Sequence, residues 1–407
     1  MRISPFIYAG LGSTMHLATI NETTSPIPAI PAGIEAPNTS GFRNPTVHTS
    51  GGGAAICASG LITVNGTTTH NFKLPQSLIP ANQTLLTSSI LSVFVPGGAS
   101  KPTPPFDTIS EDFTIGASLC MPSNATQHPP NTVEFLTHGT GFDRYYWDFA
   151  PGYSYVDTAI ASNHAVFFYD RLGNGLSDHA DPLIVQAPLQ LELAHAMINM
   201  LRNDHKFKKV IGVGHSFGSI LTQGLNWAYP DLLDASVLTG YGVNTTTIAT
   251  LGFDFGSNPT IASIADSERF AGLSNGYTCS ESVRGTQLDY LSSTPDSFDP
   301  AILAQAFAQR GLQSAGEMAS APVGGVAKNY TKPLFVINGE QDFPFCLGNC
   351  SYPQDQAAAV REAMYPAVKA SGFGSYLVPN AGHGLNLHYS AQQAYEVIQT
   401  FLSKHGF

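Results

Sequence analysis

The chain has 407 residues, of which 43% are hydrophobic and only 12% charged, with a formal net charge of −11 at pH 7. That length holds two average domains or one elaborated α/β domain. The negative balance and the lack of any Lys/Arg block argue against a nucleic-acid partner, and past the N-terminus no stretch is apolar for long enough to span a bilayer as a helix.

Residues 1–20 read as a leader. One basic residue, Arg2, precedes an uncharged and fairly apolar stretch over 3–20, resembling a signal peptide cut near Ala18. Residues 21–110 read as an N-terminal extension. Its first part, to about residue 55, is rich in Pro, Gly, Thr and Asn and predicts irregular chain. Strand-like segments near 60–64 and 113–120 predict the first, antiparallel strands of a sheet, with a Pro-rich piece at 101–106 between them.

Residues 111–407 then take on an alternating rhythm. Short apolar runs at 133–136, 165–169, 210–213, 235–239, 333–337 and 375–378 predict strands. Between them, Leu189, Leu193, Met197, Met200 and Leu201 share one helical face. A second helix is predicted over 220–229, ended by Pro230, and a third near 355–368. The last helix is predicted to start at Ser390, with Gln393 as capping-box partner. Its inward face is Ala391, Ala394, Tyr395, Ile398, Phe401 and Leu402, and Gly406 ends it. Strands alternating with helices predict an α/β fold, with a mostly parallel central sheet covered by helices on both faces. The alternation breaks over about 244–327, where Gly, Ser and the scattered aromatics Phe253, Phe255, Phe270 and Phe298 accompany short helical pieces such as 302–307. A stretch this long reads as an inserted lid over the strand ends.

Glycosylation sequons begin at Asn21, Asn38, Asn65, Asn82, Asn124, Asn244, Asn329 and Asn349, which fits the secretory route that the leader predicts. In an oxidising compartment some of the five cysteines should pair. Cys346 and Cys350 can close a small loop, Cys57 and Cys120 lie on two strand-like segments, and Cys279 is left over.

The pentapeptide Gly214-His215-Ser216-Phe217-Gly218 follows the apolar run at 210–213 and precedes a helical stretch. It predicts a sharp strand–turn–helix that lifts Ser216 above the sheet edge, with glycines where a side chain would collide with a neighbouring element. A serine hydroxyl is a poor nucleophile until a base takes its proton and an acid orients that base. His383, flanked by Gly382 and Gly384 just after the last strand, is the candidate base, and His388 is its nearest competitor. Asp342, after the strand at 333–337, is the candidate acid, with Glu340 as alternative and helix capping as its plainer role. The amide of Phe217 is one candidate oxyanion donor. The loop His138-Gly139-Thr140-Gly141 offers a second, the amide of Thr140, with that of Gly141 as runner-up.

Taken in order, His138-Gly139-Thr140-Gly141, Asp170-Arg171-Leu172-Gly173-Asn174-Gly175-Leu176-Ser177, the Ser216 pentapeptide, Gly339-Glu340-Gln341-Asp342 and Gly382-His383 resemble the α/β-hydrolase superfamily, and within it the serine-nucleophile, esterase- or lipase-like members. The resemblance covers residue 132 onward, apart from the lid. It implies Ser216 as nucleophile, Asp342 as acid, His383 as base and an oxyanion hole of backbone amides, with the Asp170-Arg171 turn structural. Serine at the nucleophile position disfavours epoxide hydrolase and dehalogenase chemistry, which use an aspartate there. The Gly-Gly-Ser-Trp-Gly elbow usual in proline-type aminopeptidases is also absent.

The expectation is therefore a secreted serine hydrolase acting on a small-molecule carboxylic ester or lactone. The alternatives are a biosynthetic enzyme that opens, closes or rearranges a small natural product, a peptidase or amidase, and a non-catalytic binding protein on the same fold. No H-E-x-x-H, phosphate loop, dinucleotide fingerprint or zinc-like cysteine spacing occurs, so no cofactor is expected.

Overall fold

The computed structural model describes residues 37–93, 105–123, 125, 129–243, 259–321 and 323–407. The expected leader, the sequons at Asn21, Asn124 and Asn244, and the first part of the insertion lie outside these residues.

Strands β1 (Arg43–Thr49), β2 (Ala55–Phe72) and β3 (Phe106–Pro122) form an antiparallel ribbon. Strands β4 (Thr132–Thr137), β5 (Ala165–Tyr169), β6 (Lys209–His215) and β7 (Ala235–Thr239) follow. Residues 259–320 carry β8 (Pro259–Ile261), β9 (Tyr277–Ser280) and β10 (Gln313–Ser314), a small antiparallel sheet, with short helices between them. Strands β11 (Leu334–Gly339) and β12 (Phe373–Val378) complete a nine-stranded sheet of order β1-β2-β3-β5-β4-β6-β7-β11-β12. From β5 to β12 every pairing is parallel.

The central strands are apolar without alternation because both sheet faces are covered. On one face Val133, Phe135, Phe167 and Val210 pack under the helices Ala187–Asn203 and Phe217–Ala228. On the other, Leu136, Phe168, Val213 and Ile337 meet the helices Tyr155–Ala161 and Ala391–Lys404. Of the predicted inward faces, Leu189, Leu193, Met197 and Leu201 are buried and Met200 is half-buried at the margin of the same cluster, while all six named residues of the last helix are buried. A fully buried Glu134 interrupts β4. Tyr155 Oη–H (2.6 Å) and Gln399 Nε2 (2.9 Å) donate to its carboxylate, and His164 Nδ1 lies 2.7 Å away, so the polar group is satisfied where the strand is driest.

Three local expectations change. Residues 43–49, within the stretch read as irregular, are the edge strand β1. Pro45 is tolerated there because the pairing slips between Arg43 and Thr46 at the sheet's margin. The ribbon strands β2 and β3 are far longer than the segments read from their apolar centres. Ser390 makes no side-chain cap to the last helix, because its backbone is already near-helical (φ −81°, ψ 3°), and Gln393 donates to Tyr376 Oη instead.

Two disulfides settle a connectivity that the sequence leaves open. Cys57 and Cys120 sit directly opposite each other on β2 and β3, and Cys346–Cys350 closes the small loop, leaving Cys279 as a buried thiol. Among the described residues no helix is long and apolar enough to cross a membrane.

Candidate active site

The residues singled out in the sequence gather at one edge of the sheet, where the parallel strands end. Ser216 joins β6 to its helix with φ 55° and ψ −117°, a conformation that costs a non-glycine residue energy and that surrounding structure must enforce. The flanking glycines permit it. A Cβ on Gly214 would enter the backbone of Gly218, and one on Gly218 would enter the carbonyl of Thr137 at the end of β4. The Ser216 N–H donates to Thr239 O at the end of β7 (2.9 Å), which pins the turn to the neighbouring strand. The Ser216 hydroxyl is buried and makes no hydrogen bond to any described residue, His383 included.

Asp342 follows β11 and has two tasks. Its Oδ1 accepts the Phe345 N–H (2.9 Å), capping the short helix Phe343–Cys346, while Oδ2 lies 2.7 Å from His383 Nδ1. Both side chains are fully buried. Capping and imidazole binding are therefore not alternatives: the first bond orients the carboxylate for the second. Glu340 takes no part in this pair. It is half-buried, and its Oε2 lies 3.4 Å from the Asn380 N–H.

His383 stands on the loop after β12, and its ring rests over the end of β7. A Cβ on Gly240 would lie 2.8 Å from His383 Cε1. The His383 and His215 ring centroids are 4.8 Å apart, so the imidazole lies beside the residue that precedes Ser216. Burial, with the nearby His383 and His138 rings, pushes His215 well below the ordinary histidine value. Tyr146 also stacks on His215, at 4.4 Å.

The loop after β4 brings its amides to the same place; a Cβ on Gly139 would lie 2.8 Å from Ser216 Cβ. Each candidate donor belongs to a peptide whose carbonyl oxygen is already engaged. Gly139 O, which shares a peptide with the Thr140 N–H, accepts His138 Nδ1–H at 2.8 Å and Arg171 Nη2–H at 3.4 Å. Thr140 O, which shares one with the Gly141 N–H, accepts the Tyr290 hydroxyl at 2.9 Å. Ser216 O accepts the Ile220 N–H at 3.0 Å and so fixes the plane of the Phe217 N–H, the first amide of its helix and one with no acceptor in a preceding turn. Hydrogen bonds in series polarise one another, so each of these amides is both oriented and strengthened as a donor.

The tautomer of His138 follows from its partners. Nε2 accepts the Arg171 N–H (2.9 Å), which leaves the proton on Nδ1 for Gly139 O. Burial, followed by the Arg171 charge, pushes this imidazole well below its ordinary value and keeps it neutral.

Arg171 is itself fully buried. Its guanidinium pairs with Glu317, bonds Gln190 and lies 4.5 Å over the Phe217 ring. Asp170, expected to be structural with it, pairs with Arg144 and accepts the Arg144 and Leu176 amides.

His388, the competing base, serves its neighbours. Its Nε2 accepts the Gly382 and Ser292 N–H groups (3.0 and 3.2 Å), and its Nδ1–H donates to Gly384 O (2.9 Å). Both ring nitrogens are thus committed to backbone, and burial lowers the group to about 4. Neither this role nor that of Tyr290 is visible in the sequence, since a side chain bonded to main-chain groups leaves no residue-type pattern in its partners.

This chain belongs to the alpha/beta hydrolase family, whose model matches residues 135–396. Among solved structures it is similar to a thermophilic esterase from Thermogutta terrifontis, with a TM-score of 0.49 and 14% identity over 75% of this chain and 97% of that one. It is also similar to an epoxide hydrolase A from Mycobacterium thermoresistibile (0.47 and 14%, over 71% and 95%) and a proline iminopeptidase from Mycobacterium smegmatis (0.45 and 14%, over 72% and 95%). Identities this low say nothing about substrate. No curated protein matches the sequence.

Proposed function

We propose that this protein is a secreted serine hydrolase that cleaves a carboxylic ester or lactone through an acyl-enzyme on Ser216. The observation that carries the reading is the buried 2.7 Å contact between His383 Nδ1 and Asp342 Oδ2, beside a strained serine turn. In this reading Asp342 holds the proton on His383 Nδ1, so that Nε2 is the basic nitrogen. As the Ser216 oxygen attacks the substrate carbonyl, Nε2 takes its proton and the new oxyanion is met by the amides of Phe217 and Thr140, with Gly141 as a further donor. The imidazolium then protonates the departing alcohol. Water, deprotonated by the same nitrogen, releases the acid and restores Ser216. The absence of a Ser216–His383 hydrogen bond is compatible with this, because nucleophile–base bonds often tighten only when substrate binds.

The test is covalent. A fluorophosphonate should label the wild type at Ser216, and Ser216→Ala should abolish both labelling and nitrophenyl-ester turnover, the latter by at least about ten-thousand-fold. A folded wild type that neither labels nor turns over would favour a binding protein. Labelling without ester turnover would favour a specialised biosynthetic enzyme on the same residues.

Two structural facts support the secretory address. The cysteine pairs Cys57–Cys120 and Cys346–Cys350 are bridged, and Asn38, Asn65, Asn82, Asn329 and Asn349 are all exposed. Endoglycosidase treatment of protein from a eukaryotic host should lower its apparent mass, and an unchanged mass would remove the glycan part of the proposal. We also take residues of the 244–327 insertion as the cover of the acyl site, supported by the approach of Tyr290 to the Thr140 loop.

A further inference from the structure

A single short stretch of the insertion, residues 290–297, touches all three loops of the proposed site. At the oxyanion loop, the Tyr290 hydroxyl donates to Thr140 O (2.9 Å). At the base loop, Tyr290 O accepts the Gly384 N–H (2.7 Å), and the Ser292 N–H reaches His388 Nε2 (3.2 Å). At the acid loop, the Ser293 N–H donates to Gln341 Oε1 (2.9 Å) and Gln341 Nε2 donates to Thr294 Oγ1 (3.0 Å), one residue before Asp342.

We propose that residues 290–297 form a positioning clamp that sets the oxyanion amides, the imidazole and the carboxylate in one register, with Tyr290 and His388 as its two principal joints. The proposal rests on the serine-hydrolase reading and adds a role for the insertion beyond covering the site.

The Tyr290 joint acts through one peptide plane. The bond to Thr140 O stops rotation of the Thr140–Gly141 peptide and draws electron density from its N–H. The hydroxyl is buried and remains a donor, since burial pushes Tyr290 well above the ordinary tyrosine value. The ring also lies 6.1 Å from the His383 ring, nearly parallel to it, so the same side chain walls the imidazole.

The His388 joint acts on both sides of His383. It accepts from the amide of the preceding residue, Gly382, and donates to the carbonyl of the following one, Gly384. With two N–H groups aimed at Nε2, only the neutral ring protonated on Nδ1 satisfies all three bonds. The insertion also lies against this loop at the backbone level: a Cβ on Gly382 would enter the carbonyl carbon of Leu291. Neither joint touches substrate in this scheme; both are positioning residues.

Tyr290→Phe, His388→Phe and His388→Gln test the clamp, with the rate of fluorophosphonate labelling as a readout that needs no knowledge of the natural substrate. Tyr290→Phe keeps the ring and should slow labelling about tenfold. It should lower kcat for a nitrophenyl ester by a similar factor while KM changes less than about twofold. His388→Phe should slow labelling further, and His388→Gln, whose amide can both accept and donate, should recover part of the loss. Amide hydrogen exchange at 140–141 should rise in Tyr290→Phe, and at 382–384 in His388→Phe.

Folded Tyr290→Phe that labels at the wild-type rate and keeps wild-type exchange at 140–141 would overturn the clamp. So would His388→Gln behaving no better than His388→Phe. If instead the wild type fails to label, or Ser216→Ala labels equally, the serine-hydrolase reading falls; the exchange measurements then still decide whether the clamp exists.

Discussion

Gly218 is the residue at which the Ser216 turn is least forgiving. A methyl group there meets the backbone carbonyl of Thr137, which cannot move without shifting the end of β4. Gly218→Ala should therefore eliminate fluorophosphonate labelling, and at a larger loss of thermal stability than Ser216→Ala, which removes one unbonded hydroxyl. A Gly218→Ala protein that labels normally would show that the turn has more room than its geometry allows. Asp342→Asn retains the shape and one acceptor oxygen but can present N–H to His383 Nδ1, which stabilises the wrong tautomer. The expected result is a fall in kcat of about a thousand- to ten-thousand-fold with KM nearly unchanged, checked by steady-state kinetics. That Ser216, Asp342 and His383 would converge is legible in the sequence, because close backbone approach demands glycine around two of them and an apolar strand precedes the other. The role of Tyr290 is not. Its partner is a main-chain oxygen 150 positions away, and nothing in the residue types on either side announces that bond.

The segment from Asp342 to Cys350 shows how an element supports one carboxylate. The Cys346 and Gly348 amides donate to Asp342 O (3.2 and 3.0 Å), the Cys350 amide donates to Glu340 O (2.9 Å), and the disulfide closes the loop they define. A ring this small restricts the unfolded chain by only about 2 kcal/mol, so its stabilising role is modest and its geometric role larger. Replacing both cysteines with serine should lower kcat by more than the accompanying small drop in Tm accounts for, measured as activity well below the melting range. Unchanged kcat would assign the bridge to stability alone. At this scale the parallel strands were readable because burial on both faces removes polar residues from them. Strand β1 was not, since an edge strand with Pro45 and Asn44 (φ 50°) borrows its hydrogen bonds from β2 and has a loop's composition. The last helix departs from its expected cap for a local reason: Ser390 lies in a tight turn in which the Ala391 N–H bonds His388 O, so the serine does not adopt a capping conformation.

Across the whole molecule, burial of neutral imidazoles makes stability depend on pH. His138, His215 and His388 are all lowered from 6.5 by burial, His388 to about 4. The unfolded chain binds protons at these sites before the folded one does. Their contribution is thus complete above pH 6.5 and is lost as pH falls through the folded values. For His388 alone the loss between about 6.5 and about 4 amounts to about 3 kcal/mol. Calorimetric Tm should therefore drop over that interval, and a Tm that stays level or rises there would contradict the assignment. The sheet's architecture follows from strand–helix alternation, whereas the ties between residues 290–297 and the loops around Ser216, Asp342 and His383 emerge only in three dimensions, where residues far apart in sequence meet through backbone groups. The Cys57–Cys120 bridge carries a further consequence. Both side chains, one on β2 and one on β3, are fully buried in the core. An oxidant can reach those thiols only while the ribbon is still open, so this bond must form early in the life of each chain. Protein matured under reductant and oxidised late should acquire the Cys346–Cys350 bond, where Cys346 keeps some exposure, well before it acquires the other.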